Sequence, residues 1–169
     1  MLRRLARKPL TWVIIAVLIA GAGFGLYWFQ PWRLWTASTA HDALPVVTAS
    51  DSATPGPVLL ASGTFVAHEH ETTGTVQLVR QPDGGVVLAI AGLATSDGPD
   101  VHVWLTDQAV TADGWKVFDD GYHREIGKLR ANNGDQVYDV PADVDLAKVT
   151  SVSIWCERFS VSFGAATLA

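Results

Sequence analysis

The segment Gly74-Thr-Val-Gln-Leu-Val-Arg-Gln-Pro-Asp-Gly-Gly-Val-Val-Leu-Ala-Ile-Ala91 decides the fold. Two short runs rich in β-branched and aliphatic residues, 74–79 and 86–91, flank Gln81-Pro-Asp-Gly-Gly85, where proline and glycine supply the dihedrals that a tight reversal demands. That pattern is a β-hairpin. The same texture recurs on both sides, at 63–68 and 101–105 and then at 126–130, 136–140, 149–157 and 159–163. Turn chemistry separates these runs at Ser96-Asp-Gly-Pro99, Ala112-Asp-Gly114, Asp119-Asp-Gly121 and Asn132-Asn-Gly134, and Asp143 to Lys148 reads as one short helical turn. Strands at this spacing with no long amphipathic helix between them predict an all-β domain over 58–169, an antiparallel β-sandwich able to bury a core without disulfides.

The N-terminus obeys different physics. Leu10 to Phe29 is a charge-free, predominantly apolar run of the length that one helical membrane crossing needs, about 20 residues. Arg3, Arg4, Arg7 and Lys8 precede it, so the positive-inside rule places the N-terminus in the cytoplasm and everything after Gln30 outside. Trp28, Phe29, Trp32 and Trp35 then form an aromatic belt at the outer interface. The small residues around Ala20 and Ala22 resemble a signal-peptidase site. The apolar run nevertheless exceeds the roughly 7–15 residues of a signal-peptide core and ends in bulky aromatics, which favours an uncleaved anchor. Residues 1–35 are thus read as a basic N-terminus and signal anchor, with the bilayer as partner through 10–29. Residues 36–57, small, polar and punctuated by proline, are read as a flexible tether with a reach of about 25 Å, His41 being merely solvated within it.

Charge follows the same division. Beyond Thr36 the chain carries seven basic and 17 acidic residues, net −10, against an overall −5. Such a domain repels phosphate backbones, which excludes nucleic acid as a partner. No Gly-x-Ser-x-Gly elbow, phosphate-cradling glycine loop or His-Glu-x-x-His occurs, so hydrolytic and nucleotide chemistry have no apparatus. The loop acids Asp97, Asp100, Asp113, Asp119 and Asp120 are too scattered for a calcium loop and read as turn formers.

An ordered set of motifs spans the C-terminal domain: Gly63-Thr-Phe with His70 and Gly74, Gly98-Pro-Asp-Val-x-Val-x-Leu105, Gly127-x-Leu129, Gly134-Asp-Gln-x-Tyr138, Val140-Pro141, Ile154-Trp-Cys156, and Phe159-x-Val-x-Phe-Gly-x-Ala166. Together they resemble the electron-transfer DM-thirteen domain, a family associated with DOMON domains in the animal protein Skeletor. The resemblance covers nearly all of 58–168 and implies a β-sandwich. It also implies a redox role centred on the C-terminal cysteine, here Cys156, as a bare thiol or as ligand to a prosthetic group such as haem, with His70 as the histidine near the first strand.

Cys156 is the single cysteine, so it cannot form an internal disulfide. Strand alternation puts Val152, Ile154 and Cys156 on one face, the apolar one. Three uses stay open for it: packing as a small hydrophobe, redox or ligand duty near a positive charge such as Arg158 or a histidine, and an intermolecular disulfide. His68 and His70, two apart, would share a strand face if the extension continues through them, the spacing that two imidazoles need to hold one metal ion. His102 alternates with Val101 and Val103 and is expected to face solvent, while His123 falls in a loop. A blue-copper site is disfavoured, since Met1 is the only methionine and no histidine follows Cys156. Covalent haem is excluded by the absence of Cys-x-x-Cys-His, so any haem would be held non-covalently, with Cys156 or His70 as axial ligand. Trp104, Trp115 and Trp155 are read first as packing and second as a binding or electron-conducting surface. The leading functional expectation is a membrane-tethered extracytoplasmic redox domain acting through Cys156 with a second molecule as electron partner. The alternatives are a non-catalytic binding or adhesion module of the cell envelope and a structural spacer at the membrane surface.

Overall fold

The computed structural model describes residues 9–47 and 56–169. The basic cluster Arg3, Arg4, Arg7 and Lys8 and the middle of the expected tether, 48–55, lie outside the described residues.

Helix α1, Pro9–Phe29, has 21 residues, about 31 Å at 1.5 Å per residue, with no charged side chain and no buried residue. Apolar on all sides and with no buried residue among the described residues, it is long and apolar enough to cross a membrane. Gln30 stops it by adopting a left-handed conformation, and a 3-10 turn, Pro31–Trp35, follows.

The remainder is a nine-stranded, curled sheet. Its strands are β1 (Thr39–His41), β2 (Val58–Ala67), β3 (Thr73–Arg80), β4 (Val86–Ala94), β5 (Val101–Thr106), β6 (His123–Lys128), β7 (Asn133–Val140), β8 (Ser151–Cys156) and β9 (Val161–Thr167), in the spatial order β1-β7-β4-β3-β2-β9-β8-β5-β6. All pairings are antiparallel except β1 with β7. The hairpin β3–β4 closes through the glycine turn as its sequence predicts, with Arg80 opposite Val86.

β2 makes the sheet a sandwich. Its first part pairs with β3 and its last three residues pair with β9, so one strand passes from one layer to the other. Gly63 lies at this corner because a Cβ there would run into the Thr167 carbonyl. The core between the layers holds Val76, Leu78, Leu88, Ile90, Val103, Leu105, Val152, Ile154 and Phe163. Each fully buried side chain of this kind contributes about 1.5–3 kcal/mol. Every residue of β5 and β8 is buried on both faces, because the connection between β5 and β6 folds Phe118 and Val110 over Trp104 and Trp155 to make a second, aromatic core.

Two local expectations change. The segment expected as a tether begins docked: β1 pairs with the edge of β7, the Asn132 side chain accepts from Ser38 N at 2.8 Å, and Asp42 accepts from Val137 N at 2.8 Å and pairs with Arg130. An edge strand offers unpaired N–H and C=O groups that any extended segment can use, whatever its side chains. Gly134, at φ +92°, makes the approach possible, since a Cβ would collide with the Ala40 carbonyl. Residues 143–148 form turns and no helix, with Val144 N donating to Pro141 O and Lys148 N to Asp145 O, both at 3.0 Å.

Candidate functional site

Cys156 is the last residue of β8 and faces Val101, the first of β5, and Val161, the first of β9. Strand alternation carries Val152, Ile154 and Cys156 onto the core face, and all three are fully buried. Burial pushes the thiol pKa up; the backbone N–H groups of Phe159, Asp100 and Arg158 act in the opposite sense and are outweighed. The Arg158 guanidinium, expected as an activating cation, turns away. It donates to the Trp28 and Tyr27 carbonyls at 3.0 and 3.4 Å and lies 5.4 Å above the Trp28 ring. The sulfur is therefore a protonated thiol in hydrocarbon surroundings, and the folded chain holds it in a state of low nucleophilicity.

Its position at a strand end matters, because its cover on that side is only a turn and a loop. The turn is 157–160, closed by Phe159 N donating to Cys156 O at 3.3 Å, with Ser160 at φ 50°. The loop is 97–100, tied to the turn by Glu157 N donating to Asp100 O at 2.9 Å.

Outside this cover lies an apolar cleft of about 330 Å³ between the end of α1 and the domain. Phe29, Pro31 and Leu34 form one wall, and Pro99, Phe159, Val161, Phe163 and His70 form the other. Phe29 stacks on Phe159 with centroids 5.8 Å apart. Phe159, from the turn after Cys156, and Val161, its strand partner, both line the cleft. His70 presents its ring edge-on to Phe163 at 4.1 Å, and burial lowers its pKa.

The haem expectation divides on this geometry. His70 lines the cleft, and its imidazole is the side chain that would hold a group lodged there. Cys156 does not fit, because its sulfur is sealed and forms no part of the cleft wall.

His68 and His70 have different partners. β2 ends at Ala67 and 68–70 form a bend, so the spacing of two no longer sets both rings on one strand face. His68 stacks on Phe118 at 5.6 Å, with Nδ1 2.9 Å from Ser162 Oγ and Nε2 3.1 Å from the Thr111 carbonyl. Both of its nitrogens are thus occupied, while His70 turns toward the cleft.

The largest surprise is His102. Expected in solvent, it is only 4% exposed, because β5 is an interior strand covered on both faces. Its Nδ1 lies 2.6 Å from Glu125 Oε1, and its Nε2 lies 3.1 Å from Asp100 Oδ1 and 3.4 Å from Glu157 Oε2. Asp100 also pairs with Lys128 at 2.9 Å, which, with His102, holds its carboxyl below the usual range against the effect of burial. The sequence carried one local signal, Asp100 two residues before His102; Glu125 and Glu157 arrive through tertiary pairing. His123, expected in a loop, opens β6 and stacks on Trp104 at 4.5 Å, while Trp104 and Trp155 stack at 5.2 Å, so these indoles are packing in the aromatic core. Of the loop acids, Asp97 pairs with Arg33 at 3.1 Å.

No curated protein and no solved structure matches the chain. The family model described as Electron transfer DM13 matches residues 64–168, which is the whole sandwich apart from β1 and the start of β2, and the chain belongs to that family.

Proposed function

We propose that this chain is a membrane-tethered electron-transfer domain whose exchange face is the cleft between the end of α1 and the sandwich. In this reading α1 lies in the bilayer, the N-terminus is cytoplasmic, and residues 36–169 are extracytoplasmic, where a redox or envelope protein meets them. The observation that carries it is the coincidence of three features in one place: the turn and strand neighbours of the chain's single thiol in the cleft wall, His70 beside them, and the end of α1 as the opposite wall.

Two chemistries use that face. A group lodged in the cleft would take His70 as ligand and would itself supply the electron-accepting centre; Phe159, Val161 and Phe163 would exclude water from it. A thiol cycle would need a partner with its own disulfide, R–S–S–R′. Cys156, losing its proton to solvent as the turn 157–160 opens, would attack one sulfur, forming Cys156–S–S–R and releasing R′–S⁻, so that the protein thiol is oxidised and the partner sulfur reduced. The sealed sulfur makes this second route conditional on opening.

The test uses the full chain in detergent micelles. Titration with haem is expected to give a visible absorption band at one equivalent that His70→Ala removes and Cys156→Ser retains. A thiol probe would label Cys156 slowly in the folded chain. A chain that gives neither band nor labelling is a binding module of the envelope, the reading that a merely packed Cys156 would favour.

A further inference from the structure

Asp100, His102 and Glu157 form a group whose ligand atoms all lie within 4.8 Å of one another, on the side of the domain where Asp100 and Glu157 also help to cover Cys156. Asp100, Glu125 and Glu157 bring three carboxylates to this place and Lys128 one ammonium group. Glu125 holds the Nδ1 side of the His102 ring at 2.6 Å. The Nε2 side of this 4%-exposed ring lies 3.1 Å from Asp100 Oδ1 and 3.4 Å from Glu157 Oε2, so three ligand atoms converge on one small space.

We propose that this space is a binding site for a divalent cation of the zinc class, with His102 Nε2, Asp100 and Glu157 as ligands and water completing a tetrahedron. One imidazole and two carboxylates suit such an ion better than calcium or magnesium, which take oxygen ligands alone. Glu125 then has the supporting role that carboxylates play behind metal-bound histidines: it accepts the Nδ1 proton, fixes the tautomer and leaves Nε2 free to ligate. A tetrahedral ion about 2.0–2.2 Å from each ligand atom keeps those atoms about 3.3–3.6 Å apart, close to the 3.1 and 3.4 Å that already separate Nε2 from the two carboxylate oxygens. Glu157, 56% exposed, has the freedom to make the small adjustment, and Lys128, 71% exposed, swings off Asp100 as the ion takes its place. The bound ion would pin Asp100 to Glu157, joining the loop and the turn over Cys156.

The test is calorimetric titration of zinc chloride into the full chain in detergent micelles at pH 7.5. One equivalent is expected to bind; Glu157→Gln should weaken it at least tenfold, and Lys128→Gln, which removes the competing ammonium, should tighten it. Cys156→Ser and His68→Gln should leave it unchanged. His102→Gln should abolish binding, and Glu157→Gln, at an exposed position, carries the test should that buried variant fail to fold. Histidine ¹⁵N spectra should show His102 Nε2 moving on addition of zinc. Absence of stoichiometric binding, binding insensitive to Glu157→Gln or dependent on Cys156, or a His102 ring protonated on both nitrogens and unmoved by zinc would each overturn the proposal.

Discussion

Removal of the Phe159 side chain should expose Cys156 without unfolding the sandwich. Phe159 is 38% exposed, sits in the 157–160 turn that covers the sulfur, and stacks on Phe29 from α1. Its loss costs the turn an aromatic pair, about 0.5–1.5 kcal/mol, and a share of its buried apolar area, for a total of about 1–2 kcal/mol. The β8 core, centred on Val152 and Ile154, is untouched. Reaction of a sealed thiol proceeds through the open fraction of its cover. The wild-type chain in micelles should therefore react with a chromogenic disulfide at pH 8 at least ~100-fold more slowly than the denatured chain, a gap of about 2.7 kcal/mol. Phe159→Ala should raise the native rate roughly 5- to 30-fold, the factor that 1–2 kcal/mol represents. Arg158→Ala, which frees the turn from the Trp28 ring and carbonyl, should add to it. Denaturation midpoints measured in parallel separate local opening from global loss. A wild-type thiol that reacts at the denatured rate, or a Phe159→Ala rate equal to wild type, would refute the idea that this turn seals the sulfur.

Cys156→Ser places a hydroxyl where the thiol is packed in the core and should cost about 1–3 kcal/mol in chemical denaturation, with the fold retained; a neutral result would mean that the site is wetter than its burial indicates. Gly134→Ala should cost about 1–3 kcal/mol from the positive φ and the clash with Ala40, and should strip hydrogen-exchange protection from the Asp42 amide, which bonds to Asp135 O at 3.1 Å, while β8 amides stay protected. Burial lowers the pKa of both His68 and His70, so between their folded values and about 6.5 the unfolded chain binds more protons and the folded state loses stability as pH falls. The stability gap between wild type and the His68→Gln/His70→Gln variant should accordingly narrow from pH 7.5 to pH 5, and a widening gap would contradict burial as the cause. Asp42 and Asp100 have lowered pKa values, so their contribution is present above about 3.8 and is lost as pH falls further. An additional drop in the denaturation midpoint below pH 4, diminished in Asp42→Asn, checks that sign.

Much of the architecture could be read along the chain. The hairpin of β3 and β4 sits on the glycine turn that announces it, α1 runs over the apolar stretch, and the strand period alone places Cys156 on the core face. Readings that failed depended on how many neighbours a strand has. Alternation is a rule for a strand with one wet face, and it sends His102 to solvent only if β5 lies with a face open; the β5–β6 connection covers that face at Trp104, and Asp100, Glu125 and Glu157 gather over His102. The spacing of His68 and His70 implies a shared face only while extension continues, and it stops at Ala67. β1 escaped notice because pairing with a free strand edge uses backbone groups and leaves little mark on composition.

The amino-acid sequence by itself determined the membrane-length helix, strands β2 to β9, the family and the face on which the single thiol lies, because each of these follows from local periodicity or from residues that act where they stand. Only the tertiary structure decided that Cys156 is fully buried, that Arg158 faces the end of α1, and that Asp100, Glu125 and Glu157 gather around His102. Those outcomes join residues far apart in the chain, Asp100 and Glu157 by 57 positions and Trp28 and Arg158 by 130. Exposure, pKa and ligand geometry are properties of such neighbours, and no short stretch of the chain contains them.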